Sequence, residues 1–343
     1  MKYKKLLKKI EQGEKMIAGI GNALIDILSH ENEDFISRLI GAKGGMTYVG
    51  SDYIQQTLSQ MMDKPKIVPG GAVCNTMLGI GQLGGKVRFV GKRGKDEFGA
   101  IFENELIKNH VEPELFISSS PTGRALSIIT PDAQRTMFTF LGAASEMLPE
   151  EISDSCFHKA AIVFIEGYLL FNRDLIKAAL KAAQQCGALI ALDLASFTVV
   201  EESKEFLNEI VSDYVDILMA NEDEARVFTG YSDEIKGLEV LSQDVDIAIL
   251  KVGKKGSYIS HEGEILKIKA KGTGAAIDTT GAGDLWASGF LFGLINGYPL
   301  TKCGELGSAI GYEVCQVIGT NIPEEGWQRI KNPGKKDLAL SYP

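Results

Sequence analysis

Between residues 160 and 253 the chain alternates short apolar runs with runs of helical period. AAIVFIEG (160–167), ALIALDL (188–194), VDILMAN (215–221) and DIAILKVG (246–253) have the length of strands buried on both faces. Between them lie NRDLIKAALKAAQQCG (172–187), SKEFLNEIVSD (203–213) and NEDEARVFTG (221–230), which read as helices. Strand, helix and strand repeated in this way make βαβ units, so the expected class is α/β with a mostly parallel sheet. KMIAGIG (15–21) and VRFVG (87–91) are two earlier strands of the same kind. Glu166, Asp193 and Asn221 close three of the strands. Open α/β sheets bind ligands beyond the carboxyl ends of their strands, so a site is expected along that edge.

PTGRALSIITPDAQRTMFTFL (121–141) has a different rhythm, two alternating stretches about Pro131-Asp132, which fits a hairpin. Together with the mixed, Gly-rich stretch 34–58 it is expected to form a small β lid. No repeat, low-complexity tract or long linker divides the chain. The reading is one domain at 16–325 with that lid, a basic helix or frayed end at 1–15, and a tail at 326–343.

The formal charge of −9 argues against general nucleic-acid binding, which needs Lys and Arg to neutralise phosphates. Five cysteines without a CxxC pair and four scattered histidines suggest neither a disulfide framework nor a zinc site. The N-terminal MKYKKLLKKIEQGEKM lacks the apolar core of a signal peptide, and no run approaches 18 apolar residues. A cytoplasmic protein with reduced thiols and no membrane partner is the expectation.

The strongest local signal is Asp278-Thr279-Thr280-Gly281-Ala282-Gly283-Asp284, followed at once by LWASGFLFGLI. A helix that starts near Ala282 leaves its first N–H groups unpaired and its positive dipole end exposed, which together attract an anion. Gly281 and Gly283 let the backbone approach that anion closely. Asp284, in the first turn, is placed to accept a proton from an alcohol that attacks a phosphoryl group there. A helix cap and a tight turn would use the same residues. No GxxxxGK[ST] sequence occurs, so any phosphate is held without a P-loop of that kind.

DTTGAGD with the following ASGFLFGL resembles the C-terminal signature of the ribokinase-like, or PfkB, family of carbohydrate and nucleoside kinases. Three further segments resemble family motifs in the family's order. They are Gly21-Asn22-Ala23-Leu24-Ile25-Asp26, then Gly70-Gly71-Ala72-Val73-Cys74-Asn75 followed by Gly94-Lys95-Asp96-Glu97-Phe98-Gly99, and Asn221-Glu222-Asp223-Glu224. The resemblance spans about 16–325 and implies a three-layer fold with a mostly parallel central sheet and a small β lid.

The resemblance further implies site roles. Asp284 would be the general base, and Gly281, Ala282 and Gly283 the anion hole. Asn22, Asp26, Gly70, Gly71 and Asn75 would bind the acceptor. Asn221, Glu224, Lys251, Gly253 and Gly256 would serve the nucleotide, although Lys251–Gly256 also fits a plain hairpin turn. Glu224 would reach Mg2+ through water, Asp278 and Gly319 would lie near a monovalent cation such as K+, and Arg135 would reach a phosphate from the lid. ATP with Mg2+ is the implied donor, and the protein would be a monomer or homodimer.

GNALID and LGSAIGYEVCQVIGTNIP resemble the adenosine-kinase-like branch most, although Asn321 stands where Arg is common. Tyr168, Phe138 and Phe140 are candidate walls for a purine. A sugar such as ribose or fructose remains the alternative acceptor, and a non-catalytic ligand-binding homologue a third reading. Gly19-Ile20-Gly21 lacks the third glycine and partner acid of a dinucleotide fingerprint.

Overall fold

The structure is a computed structural model, and it describes residues 14–61, 64–132, 134–272 and 274–332. Among these residues one sheet has nine strands. Their spatial order is β14 (Glu264–Ile268), β13 (Ser257–His261), β12 (Ile247–Lys251), β11 (Ile217–Asn221), β10 (Leu189–Asp193), β9 (Ala160–Glu166), β1 (Met16–Ile20), β5 (Lys86–Gly94) and β6 (Val111–Ser118). The seven strands from β12 to β6 are parallel, and β13 and β14 add an antiparallel hairpin at one edge. All six apolar runs picked out in the sequence are strands of this sheet.

Helices cover both faces. In chain order the α-helices are α1 (Glu33–Ser37), α2 (Ser51–Ser59), α3 (Ala72–Gln82), α4 (Glu97–Lys108), α5 (Asp154–Phe157), α6 (Arg173–Gln185), α7 (Phe197–Tyr214), α8 (Glu222–Thr229), α9 (Glu234–Leu241), α10 (Ala282–Ile295), α11 (Leu300–Val314) and α12 (Glu324–Lys331). Alternate side chains of each strand face opposite helix layers. Ile17, Ile162 and Phe164 pack with α3, α4, α10 and α11, while Ala18, Val163 and Ile165 pack with α6, α7 and α9. The strands are therefore apolar throughout instead of alternating, as buried parallel strands are.

Two helix boundaries lie away from their expected positions. α7 begins at Phe197, ahead of the expected 203, because Ser196 accepts a hydrogen bond from Thr198 N and caps it there. α12 crosses the boundary expected at 325. Its Trp327 and Ile330 are buried against Ile310, Val314 and Ile322, and Arg329 pairs with Glu313. Residues 1–13 and 333–343, with the basic helix and polar tail expected there, lie outside the described residues.

A second sheet of five strands stands over the carboxyl edge of the first. Its order is β3 (Met46–Tyr48), β8 (Arg135–Phe140), β7 (Gly123–Ile129), β2 (Leu24–His30) and β4 (Lys66–Gly70). β7 and β8 form the expected antiparallel hairpin. β2 and β4 belong to this lid as well, a contribution that the sequence reading did not anticipate. One face of the lid buries Ile25, Ile27, Leu126, Ile128 and Phe138 against Phe35 and Ile36 of α1 and Ile54 of α2. The other face turns Asp26, Ala125, Ser127, Met137 and Thr139 toward a cavity.

Candidate active site

The position of Asp284 follows from the burial of α10. This helix is apolar on nearly every side, so it must be enclosed. It lies between α3 and α11, close to both: a Cβ on Gly289 would stand 2.7 Å from the Gly307 amide nitrogen, and one on Gly79 would stand 2.5 Å from Ser288 Oγ. Gly281 caps the helix with φ +68, a left-handed conformation that glycine adopts without strain. The first turns of α10 and α3 then meet. Asn75 Nδ2 donates to Asp284 Oδ2 at 2.9 Å, and Thr76 Oγ1 donates to the Asp284 carbonyl at 3.0 Å.

Two cavities meet at this carboxylate. The first, of ≈ 670 Å³, is lined by Asn22, Asp26, Gly71, Asn75 and Glu166 and by the apolar or aromatic side chains of Met46, Tyr48, Met137, Leu141, Tyr168 and Phe171. The second, of ≈ 640 Å³, is bordered by Asp193, Asn221, Glu224, Lys251 and the whole loop 278–284. Ala72, Arg135, Thr280, Gly281 and Asp284 line both.

Three acids line the first cavity, Glu166 buried and Asp26 and Asp284 half-buried. Burial pushes the carboxyls of Asp26 and Asp284 up to about 6, the latter despite its hydrogen bond from Asn75. Burial likewise pushes Glu166 up to about 7, against its hydrogen bonds from Asn22 Nδ2 (2.7 Å) and from the backbone N–H groups of Asn22 (3.3 Å) and Val73 (3.4 Å). Desolvation disfavours the charged form of each. A Cβ on Gly21 would collide with the Glu166 carboxylate, and one on Gly70 with that of Asp26.

In the second cavity Lys251 Nζ pairs with Asp193 Oδ2 at 2.6 Å. Burial opposes the lysine charge, but the carboxylates of Asp193 and Glu224 outweigh it and hold Lys251 more firmly protonated than usual. A Cβ on Gly283 would lie 3.1 Å from Lys251 Nζ, so the glycine leaves open the space between the cation and the helix start. Asn221 and Glu224 form a reciprocal cap of α8. Asn221 Oδ1 accepts from Glu224 N at 2.9 Å, and Glu224 Oε2 accepts from Asn221 N at 2.8 Å. Burial raises the Glu224 carboxyl, and the neighbouring Asp193 raises it further. Asp278 fixes the loop 278–284 by accepting from Thr280 N (2.9 Å), Thr280 Oγ1 (2.6 Å) and Gly319 N (2.9 Å), so a cation there would share its oxygens with three donors. From the lid, Arg135 donates to Thr280 Oγ1.

Among the described residues no three His, Cys, Asp or Glu side chains gather as a metal site. Glu224 borders the second cavity with its carboxylate already held by Asn221. A magnesium ion beside Glu224 would take most of its ligands from water or a bound substrate.

Asn22, Asp26, Gly71, Asn75 and Asp284 gather at the first cavity, and Asn221, Glu224, Lys251 and Asp278 at the second. Gly281 borders both, and Ala282 and Gly283 border the second. Gly70, Gly253, Gly256 and Gly319 lie outside both linings. Gly70 acts through the space that it leaves for Asp26. Gly253 and Gly256 frame the turn between β12 and β13, where Gly256 has φ +102 and a Cβ would strike Ile268 O. Phe138 is buried against Tyr53 and Phe140 packs under the Arg124 guanidinium, so neither lines a wall, whereas Tyr168 does line one. Glu166 and Asp193, visible in the sequence only as strand ends, are central. Met46, Tyr48, Met137 and Phe171 carried no signal beyond their apolarity, since only the lid's closure over the sheet brings them together.

The chain matches the family described as pfkB family carbohydrate kinase over residues 46–326. A probable fructokinase-5 of Arabidopsis thaliana is 30% identical over 271 residues, 74% of this chain and 82% of that protein. The crystal structure of adenosine kinase from Sinorhizobium meliloti superposes with a TM-score of 0.85 at 29% identity, covering 94% of this chain and 99% of that one. A probable sugar kinase protein from Rhizobium etli CFN 42 superposes with a TM-score of 0.86, also at 29% identity and over the same shares of the two chains.

Proposed function

The chain belongs to the pfkB family of carbohydrate kinases, enzymes of ATP-dependent phosphoryl transfer to a sugar or nucleoside hydroxyl, and from that premise we propose that its acceptor is a ribonucleoside phosphorylated at its primary hydroxyl. The observation that carries the reading is the place of Asp284 at the junction of the two cavities. Of the five residues that line both cavities, Asp284 is the one carboxylate, so an alcohol held in the first and a phosphoryl group held in the second would share it as their base.

The acceptor cavity offers both kinds of lining that a nucleoside needs. Asp26 and Asn22 can hold ribose hydroxyls, since a carboxylate accepts two vicinal O–H groups and an amide both gives and accepts. Asp284 takes the proton of the attacking hydroxyl. Its carboxyl, near 6, is ionised at neutral pH yet close enough to ambient pH to be an effective base. Tyr48, Tyr168, Phe171 and the two methionines supply the apolar walls that a planar base requires. Across the junction, the first-turn amides of α10, Lys251 and Arg135 face the migrating phosphoryl charge. A magnesium ion accompanying ATP would offset phosphate charge there, with Glu224 as its outer-sphere partner.

A sugar acceptor is the second reading, favoured by the fructokinase named among the relatives and by an acid pair that would serve any vicinal diol. The deciding experiment is a phosphoryl-transfer screen of the purified protein with ATP and Mg2+ against adenosine, inosine, guanosine, ribose and fructose. Turnover of a nucleoside with kcat/KM well above that of ribose is expected. Preferential turnover of fructose or ribose would replace the nucleoside reading with the sugar one.

A further inference from the structure

The segment Gly94-Lys95-Asp96-Glu97-Phe98-Gly99 resembles a family motif, yet none of its residues lines either cavity. It touches the root of the β7–β8 hairpin instead. Asp96 Oδ2 accepts from Thr122 N at 2.8 Å, and its Oδ1 accepts from Thr122 Oγ1 at 2.5 Å and from Gly99 N at 2.8 Å. One carboxylate thus caps α4 and grips the residue immediately before β7. Thr122 is fully buried, and its hydroxyl oxygen in turn accepts from Gly94 N at 3.0 Å. A Cβ on Gly94 would stand 2.5 Å from both Ser120 O and Thr122 N, and one on Gly99 would strike Gly94 O. The glycines of the motif are the positions where the lid connection crosses the body.

Phe98 completes the grip. The Arg124 guanidinium lies between the rings of Phe98 and Phe140, 5.4 Å from each centroid. Arg124 and Phe140 are cross-strand partners at the first step of the hairpin. They occupy the face opposite Ala125, Ser127, Met137 and Thr139, which roof the acceptor cavity. At the far end of the same hairpin Arg135, paired with Ile129, reaches Thr280 at the junction of the cavities.

We propose that Asp96, Phe98 and Arg124 are positioning residues for phosphoryl transfer: they set the angle at which the roof hairpin leaves the body and so seat Arg135 against the loop 278–284. The hairpin is the lever. At about 3.3 Å per residue, β7 is on the order of 20 Å long, so a rotation of about 5° at its root moves Arg135 by about 2 Å. A displacement of about 1 Å at reacting groups can cost on the order of a hundredfold in rate.

The test is a set of double-mutant cycles with Arg135→Ala. Asp96→Asn and Thr122→Val are each expected to lower kcat/KM roughly 10- to 100-fold. In either background Arg135→Ala should cost far less than it does in the wild type, because that arginine is already displaced. Thr122→Ser should retain wild-type kinetics. Phe98→Leu, which leaves both hydrogen-bonded caps intact, enters the same cycle if Asp96→Asn does not fold. Losses that simply multiply, or a lowered Tm with kcat and KM unchanged, overturn the proposal.

The kinetic arm rests on the phosphotransfer reading and uses whichever alcohol the acceptor screen identifies. A second arm does not. In the ligand-free protein, amides of 123–129 and 135–140 should exchange faster in Asp96→Asn than in the wild type, with β9 unchanged. Unchanged exchange in the hairpin sinks the proposal whatever the acceptor proves to be.

Discussion

The side-chain amide of Asn75 donates to Asp284 Oδ2 at 2.9 Å across 209 positions of chain. It ties the first turn of one buried helix to the first turn of another, and it helps to hold Asp284, the base in the proposed reaction, at the junction of the cavities. A donor to a carboxylate stabilises its charged form. Loss of that donor therefore shifts the base toward its neutral state, which has a visible consequence.

In Asn75→Ala the acidic limb of the kcat–pH profile should move to higher pH than in the wild type, whose limb is set by an Asp284 carboxyl near 6. Steady-state kinetics between pH 5 and 9 measures it. A limb that stays in place would show that another group controls the profile.

Asp284→Asn keeps the shape of the side chain and removes the base. General-base catalysis contributes roughly 10²–10⁴ in rate, so kcat should fall by that factor with the acceptor KM changed far less. Residual activity within tenfold of the wild type would remove Asp284 from the proton-transfer step.

Lys251→Met leaves the Asp193 carboxylate, whose side chain is only 12% exposed, without its cation. Removing one partner of a buried pair costs about 3–5 kcal/mol. Thermal unfolding should show that loss, and the KM for ATP should rise. Adding Asp193→Asn should recover much of the stability but none of the ATP affinity.

Glu166 titrates near 7 in the folded protein against an ordinary value of 4.5. Between those values the folded chain keeps a proton that the unfolded chain has released, so this group's contribution to stability falls as pH rises from about 4.5 to about 7. The shift corresponds to roughly 3 kcal/mol. Glu166→Gln should flatten that part of the stability–pH curve in denaturant titrations. It should also raise the acceptor KM, because the amide turns a donor toward Asn22.

Gly289→Ala adds a methyl group where the Gly307 backbone stands 2.7 Å away, and no side chain can yield there. α10 must move off α11, at a cost of about 1–3 kcal/mol for overpacking. Since Asp284 rides on α10, kcat should fall with stability. A stable variant with full activity would contradict the close-contact account.

The course of the chain decided which of these features its letters reveal. Alternation of apolar runs with helical ones, and the small-residue turn before an apolar helix, are local properties, and local sterics and burial enforce them wherever the chain goes. The parallel sheet, α10 and the polar residues at the strand ends were therefore readable from sequence alone. So was the pairing of β7 with β8, because a hairpin joins neighbours in sequence. Pairings between distant segments leave no periodic trace. The meeting of Asn75 with Asp284 exists only after two body helices pack, and the entry of β2 and β4 into the lid, the grip of Asp96 on Thr122 and the apolar wall of Tyr48, Met137 and Phe171 only after the lid is assembled on the sheet. Each depends on surface complementarity between elements far apart in the chain, and only the folded backbone can bring those surfaces into contact.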